Sequence, residues 1–345
     1  MISEFLKFLP TTFQFMPSKI KEMVIGESII KRKALLDGDC QFISKLYTTI
    51  PPLETLKPIF ARKLFEIYAN AFWIPKVEIK QVQDFKIPMG NHSLSARFYN
   101  PTPLKSSLPC LVYFHGGGAT VGSVETHDHF CRWISKESLW TVLSVDYRLS
   151  PEHPYPVPLE DSFHAYSWVL ENAKSLGLDS QKIGVGGDSA GGNLASSVIL
   201  KAHQTKQKIP YLSILLYPMC DSSKEHPSME EFGESFLLTT ASIRWFLNNY
   251  DPHQLRKEDP LISPYLAEDL SFFPKTFLTT CGFDPLQDEG ILFSKKLEAA
   301  KVDITYRHYE QLVHGYANYA GVVPQAMKAI SEVVQYLRLY YSHAK

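Results

Sequence analysis

The chain predicts an α/β fold, a mostly parallel sheet covered on both faces by helices, and three observations carry that prediction. Short continuous apolar runs, Leu111–Phe114, Leu139–Val145, Tyr211–Leu216 and Thr276–Thr280, alternate with stretches of helical period. Two glycine-rich strings, His115-Gly116-Gly117-Gly118 and Gly187-Asp188-Ser189-Ala190-Gly191-Gly192, each follow a strand-like run. An acid, Asp284, and a histidine, His314, come after the serine at 189, in the order Ser…Asp…His.

From Ser18 to about Tyr68 the apolar residues recur at three- and four-residue spacing. Pro51-Pro52 breaks the run, which predicts a helical attachment ahead of the sheet. The sheet is expected to start near Lys76. Lys76–Ile87 alternates as a half-buried strand, and Leu94–Tyr99 returns after the turn at Gly90-Asn91. This hairpin-like pair is expected at an antiparallel edge. Leu111–Phe114 is apolar throughout, as suits a strand buried on both faces. A helix is expected over Pro158–Leu176. The strand Lys182–Gly186 then leads to the serine, and Gly191–Ala202 reads as the next helix. Ile304–Tyr309 is the last strand, before a helix over Val322–Tyr341. Between Asp221 and about Pro260 the strand rhythm is lost and Ser235–Tyr250 reads as helical. This insertion is placed to fold over the site. The expected division is 1–75 as an N-terminal helical cap segment, 76–220 with 261–345 as the main domain, and 221–260 as a cap insertion.

The 345 residues suffice for one large domain with a smaller attachment, and 45% hydrophobic with 21% charged residues describes an ordinary globular chain. A net charge of −1 gives no global pull toward nucleic acid or an anionic membrane. Five scattered cysteines form no CxxC pair, so zinc-finger and thioredoxin readings fail and reduced thiols in a cytoplasm are expected. The N-terminus has no basic leader and no long apolar core, so neither a secretory signal nor a membrane span is expected. It is rich in Phe5, Leu6, Phe8, Leu9, Phe13 and Phe15. A short docked helix and a membrane-contacting lid are both readings of that segment.

Acyl transfer through a serine needs a nucleophile, a base, a group that orients the base, and donors for the developing oxyanion. Ser189 in Gly-x-Ser-x-Gly fits a strained strand-to-helix turn, whose flanks must be small for strand and helix to pass closely. In the upstream string, bare N–H groups can approach the reacting oxygen. Gly117 and Gly118, with the N–H of Ala190, are the expected donors. A phosphate loop is the competing reading, but no Gly-Lys-Ser/Thr end or G-x-G-x-x-G spacing is present. His115 is expected to shape its loop, and Asp188 to brace a neighbouring one. For the acid, Asp284 competes with Asp288, which falls in the first turn of a following helix where acids are favoured anyway. For the base, His314 lies in a loop after a strand, whereas His308 lies inside the strand. His127 and His129 have a metal-like H-x-H spacing, but in a helical stretch and without further ligands.

Together, HGGG, YRLSPEHPYP (Tyr147–Pro156), GDSAGG, Asp284-Pro285-Leu286 and Val313-His314-Gly315 resemble the hormone-sensitive-lipase-like branch of α/β-hydrolases, the bacterial family IV carboxylesterases. The resemblance spans roughly residues 76–340, with a weaker echo around Leu35–Phe65. It implies an eight-stranded sheet and a helical cap. It also implies hydrolysis of short- to medium-chain acyl esters by Ser189, Asp284 and His314 with no cofactor or metal, and a homodimer paired through the sheet edge. It fits a polar network of Arg148 and Glu152 near Asp161. An amide-cleaving deacetylase with the same triad and a small-molecule receptor on this fold are the competing functions. A long-chain lipase stays open because of the Phe-rich N-terminus. The family commonly has a large aromatic residue after HGGG. Ala119-Thr120 stand there instead, which predicts a wider or differently shaped acyl or alcohol slot and a penalty on bulky substrates for Ala119→Trp.

Overall fold

A computed structural model describes residues 17–72 and 77–341. The Phe-rich segment and the strand start expected at Lys76 lie outside the described residues.

The main sheet has eight strands: β1 Gln81–Pro88, β2 Ser93–Asn100, β3 Leu108–Phe114, β4 Thr141–Asp146, β5 Leu178–Asp188, β6 Leu212–Leu216, β7 Lys275–Phe283 and β8 Ile304–Val313. Their spatial order is β8-β7-β6-β5-β3-β4-β2-β1. β1 and β2 pair antiparallel, as do β2 and β4, and every other neighbour pair is parallel. The hairpin at the antiparallel edge is thus where its alternating pattern places it. Each strand next to the site runs longer than its apolar run. β5 begins four residues before Lys182, and β7 ends three residues past Thr280, because ladder bonding continues through polar residues and glycine.

β3 shows why a continuous apolar run belongs in the sheet's centre. Leu111 and Tyr113 enter one core with α4 (Asp128–Ser138) and α10 (Pro324–Leu339). Cys110, Val112 and Phe114 enter the opposite core with α5 (Val157–Asn172), α6 (Ala190–Gln204) and α9 (Gln287–Ala299). All seven β3 residues are buried. With a side-chain period of two, neither face of such a strand meets water.

Before the sheet, the helical pattern resolves into α1 (Ser18–Ile25), α2 (Gly38–Tyr47) and α3 (Pro58–Ala71). A two-residue antiparallel ribbon, Ile30–Lys31 with Ala34–Leu35, separates α1 from α2. Arg32 and Lys33 turn it with positive φ, a break that apolar periodicity does not reveal. The Asp37 carboxylate caps α2 by accepting from the N–H groups of Asp39 and Cys40. In the insertion, helix occupies Pro227–Glu231 (α7) and Thr240–Tyr250 (α8), so the helix expected from Ser235 starts five residues later. Ser235 and Leu237 both take positive φ, which excludes them from a right-handed helix, and the Thr239 side chain caps α8. The N-terminal elements meet the insertion where Ser242 Oγ donates to Glu54 Oε2 at 2.8 Å.

Candidate active site

The site lies at the carboxyl ends of β3, β5, β7 and β8. β5 ends at Asp188 and α6 begins at Ala190, so Ser189 alone makes the turn. Its φ of 54° and ψ of −120° hold it in a strained conformation, costing about 1–3 kcal/mol. The neighbouring strand holds the turn: Ser189 N–H donates to Leu216 O at 2.9 Å, and Met219 N–H donates to Ser189 O at 3.2 Å. Gly191 is required by close approach, because a Cβ there would overlap the backbone carbonyl of Phe114.

His314 leaves the end of β8, followed by Gly315 at φ +75°. Its Nε2 lies 2.8 Å from Ser189 Oγ, and its Nδ1 lies 2.8 Å from Asp284 Oδ2. Asp284 is buried, and its other oxygen accepts from Leu286 N–H at 2.8 Å. The edge of Tyr217 packs on the imidazole at 4.9 Å between centroids. Three side chains spread over 126 positions of chain therefore form one hydrogen-bonded line.

The rival residues are engaged elsewhere. Asp288 pairs with Arg32 and accepts from Ser228 N–H at 2.8 Å. His308 Nδ1 meets Thr280 Oγ1 at 2.8 Å across the β7–β8 ladder. The helix-start acid Glu289 is buried. One of its oxygens accepts from Cys220 N–H at 2.6 Å and Asp221 N–H at 3.2 Å, and burial pushes its carboxyl well above the ordinary range.

The glycine string after β3 is fixed from behind by Asp188. One carboxylate oxygen accepts from Gly116 N–H at 2.9 Å and from Tyr113 OH at 2.6 Å, with His127 Nε2 3.1 Å away. Burial pushes this carboxyl up, but His127, Tyr113 and His115 outweigh it and hold Asp188 below the usual range. Asp188 braces the loop, as expected. His115 Nδ1–H donates to Gly116 O at 2.8 Å, and the ring stacks on Tyr147. Burial, reinforced by His127, lowers its pKa to about 3, so it stays neutral. His127 is tied to Thr126 as well as Asp188, and no cluster of three or more potential metal ligands occurs among the described residues.

Gly117 and Gly118 take φ of +111° and +61°. The N–H groups of Gly117, Gly118 and Ala190 have no protein acceptor among the described residues. All three residues line a cavity of about 130 Å³ that also contains Ser189 and His314. The wider slot expected at Ala119-Thr120 is filled differently. Ala119 is buried, and the Phe246 ring of α8 sits so close over Gly118 that a Cβ there would overlap it. The aromatic bulk thus comes from the insertion.

Arg148 pairs with buried Asp161 at 2.7 Å, as expected, but Glu152 does not join it. Glu152 binds Arg62 of α3, which also donates to Thr120 O at 2.9 Å and Ser150 O at 2.8 Å. Arg32 similarly binds both Glu231 of α7 and Asp288 of α9. Phe246, Arg62 and Arg32 carry no motif, so nothing in the sequence distinguishes them from other residues of the N-terminal and 221–260 segments.

A family model described as the alpha/beta hydrolase fold matches residues 111–318. The chain belongs to the α/β-hydrolase family. Its hormone-sensitive-lipase-like motifs agree with the relatives found. The chain is 38% identical over 274 residues to "Carboxylic ester hydrolase LipN" of Mycobacterium tuberculosis, covering 78% of this chain and 72% of that protein. It is 30% identical over 291 residues to "Ethyl acetate hydrolase" of Pseudomonas putida, covering 83% and 92%. Among solved structures, an ester-hydrolase from the metagenome of Lake Arreo, complexed with a bipyridine phosphonate derivative, superposes with a TM-score of 0.85 at 33% identity, covering 88% of this chain and 99% of that one. Among the described residues, no helix is long and apolar enough to cross a membrane.

Proposed function

We propose that this protein is a serine carboxylesterase that hydrolyses short- to medium-chain acyl esters through an acyl-enzyme. The observation that carries the reading is the line Ser189 Oγ–His314 Nε2, His314 Nδ1–Asp284 Oδ2, at 2.8 Å in both links, beside three N–H groups with no protein acceptor among the described residues. The relatives' printed activities support it.

His314 takes the proton of Ser189 as the hydroxyl attacks the ester carbonyl. Asp284 accepts a hydrogen bond from Nδ1–H, which keeps that proton on Nδ1 and leaves the Nε2 lone pair facing the serine, and it stabilises the imidazolium that forms. Gly117, Gly118 and Ala190 donate to the oxyanion. His314 then protonates the departing alcohol, and water repeats the sequence on the acyl-enzyme. An apolar cavity of roughly 150 Å³ holds a benzene. At about 130 Å³, this cavity suits a short acyl chain or a small ring.

In this reading 1–75 and 221–260 form the cap and the remainder is the catalytic domain. Five buried cysteines, none in a disulfide, support a cytoplasmic location. The outer edge of β8, short of Gln311 where the Asp37 N–H is bound, would pair subunits in a homodimer.

The test is labelling by a fluorophosphonate probe together with turnover of p-nitrophenyl butyrate. Both are expected in the intact chain and neither in Ser189→Ala. Turnover retained by Ser189→Ala would refute the assignment.

A further inference from the structure

A second cavity, of about 340 Å³, lies beside the first. Its far lining is polar and open to water through Lys224, Glu225 and Arg244, all exposed. The two cavities share four lining residues: Met219, Ile243, Leu247 and Leu286. A residue that lines both must present one side to each, so these four form the wall between them.

The wall is built from a few apolar side chains. Ile243 and Leu286 belong to a small apolar cluster with Met229, separate from the two large cores, against which Met219, Leu238 and Leu247 pack. Ile243 and Leu247 are one turn apart on α8 in the insertion, Met219 follows β6, and Leu286 lies two residues past Asp284. Met219 and Leu247 are only partly buried, and methionine has three rotatable bonds with no branching to fix it. Behind this wall lies the second cavity's space of about 340 Å³.

We propose that this four-residue partition sets the upper length of the substrate's hydrocarbon chain, and that it is the specificity-determining element between a short-chain site and a continuous channel leading to water. The inference rests on the ester-hydrolase reading above. With the wall in place, a chain longer than the first cavity has no room to extend. With the wall shortened, each further methylene enters an existing void and gains up to about fourfold in kcat/KM, the burial free energy of one CH₂.

The experiment measures kcat/KM for p-nitrophenyl esters from acetate to dodecanoate, and for alkyl butyrates of matching length, with the intact protein, Leu247→Ala, Met219→Ala and the double variant. Alanine suits position 247 because it is the best helix former. The intact protein is expected to lose activity steeply beyond medium chains in at least one series. The decanoate-to-acetate ratio, or its alkyl counterpart, is expected to rise at least tenfold in Leu247→Ala or Met219→Ala, and further in the double variant. Ile59→Ala, exposed on α3 and lining neither cavity, is the control and leaves the ratio unchanged. Equal activity of the intact protein at all lengths, an unmoved ratio in folded wall variants, or the same rise in Ile59→Ala would overturn the proposal. These results are distinct from failure of the esterase reading, in which the intact protein hydrolyses no ester of either series and takes up no fluorophosphonate.

Discussion

Replacing Asp284 by asparagine tests the site at the atom that decides its chemistry. Asp284 accepts two hydrogen bonds, from Leu286 N–H at one oxygen and from His314 Nδ1–H at the other. Asparagine offers only one oxygen. If that oxygen keeps the Leu286 bond, its NH₂ faces Nδ1, which must then accept. The imidazole proton moves to Nε2 and points at Ser189, so the base has no lone pair for the serine proton. If the amide flips, NH₂ meets the Leu286 N–H in a buried position, and an unsatisfied buried donor costs about 1–3 kcal/mol. At 1.36 kcal/mol per decade, the productive tautomer falls by one to two decades. Loss of the negative charge that stabilises the imidazolium contributes roughly two more, giving a fall of about 10³–10⁴ in kcat. Stopped-flow turnover of p-nitrophenyl butyrate reads this directly, with circular dichroism to confirm the fold. A variant that keeps a tenth of the activity would show that Asp284 does not set the tautomer of His314, and the orientation argument would fail.

Ser189→Ala is expected to lower kcat by a factor on the order of 10⁶, measured with the same ester at high enzyme concentration. Gly118→Ala puts a methyl group into the Phe246 ring at a φ of +61° and displaces one of the proposed oxyanion donors. A loss of about 10²–10³ is expected, and Phe246→Ala in the same chain should recover part of it. Arg62→Ala removes the link between α3 and the loops after the glycine string, worth about 1–2 kcal/mol after solvent screening. KM should rise more than kcat falls, and protease should cut the N-terminal segment sooner. Glu289 has a raised folded pKa. Its contribution is complete below the ordinary carboxylate range and is lost as pH rises through the folded value. Glu289→Gln keeps the oxygen that accepts from Cys220 and Asp221, so its Tm should exceed that of the intact protein at pH 8 and converge with it near pH 4. A constant difference across that range would count against a buried titrating carboxyl.

The sheet and the hydrogen-bonded line were legible because both are written in local chemistry. β3 shows itself as unbroken apolar residues ending in glycines, and Ser189 lies between small residues that only a tight turn demands. Asp284 and Asp288 were separated by the family motif alone, not by local pattern. Asp284 stands just before α9 and Asp288 in its first turn, and it is Arg32, some 250 residues away, that occupies one and leaves the other. The shape of the cavity was equally hidden. Ala119 predicted open space, but space is set by whichever side chain arrives from elsewhere, here Phe246 from the insertion. The helical stretch before the sheet concealed its two-residue ribbon, since two residues are too few for any period to show.

Arg32 couples three stretches of polymer that are remote in the chain: its own N-terminal turn, Glu231 in the insertion, and Asp288 four positions beyond Asp284. Anyone grafting the roof of this molecule onto a relative must therefore transplant both of its pieces at once. A chimera that imports the insertion without the N-terminal turn would leave Glu231 and the acid at position 288 facing one another with no Arg32 between them, four positions from Asp284.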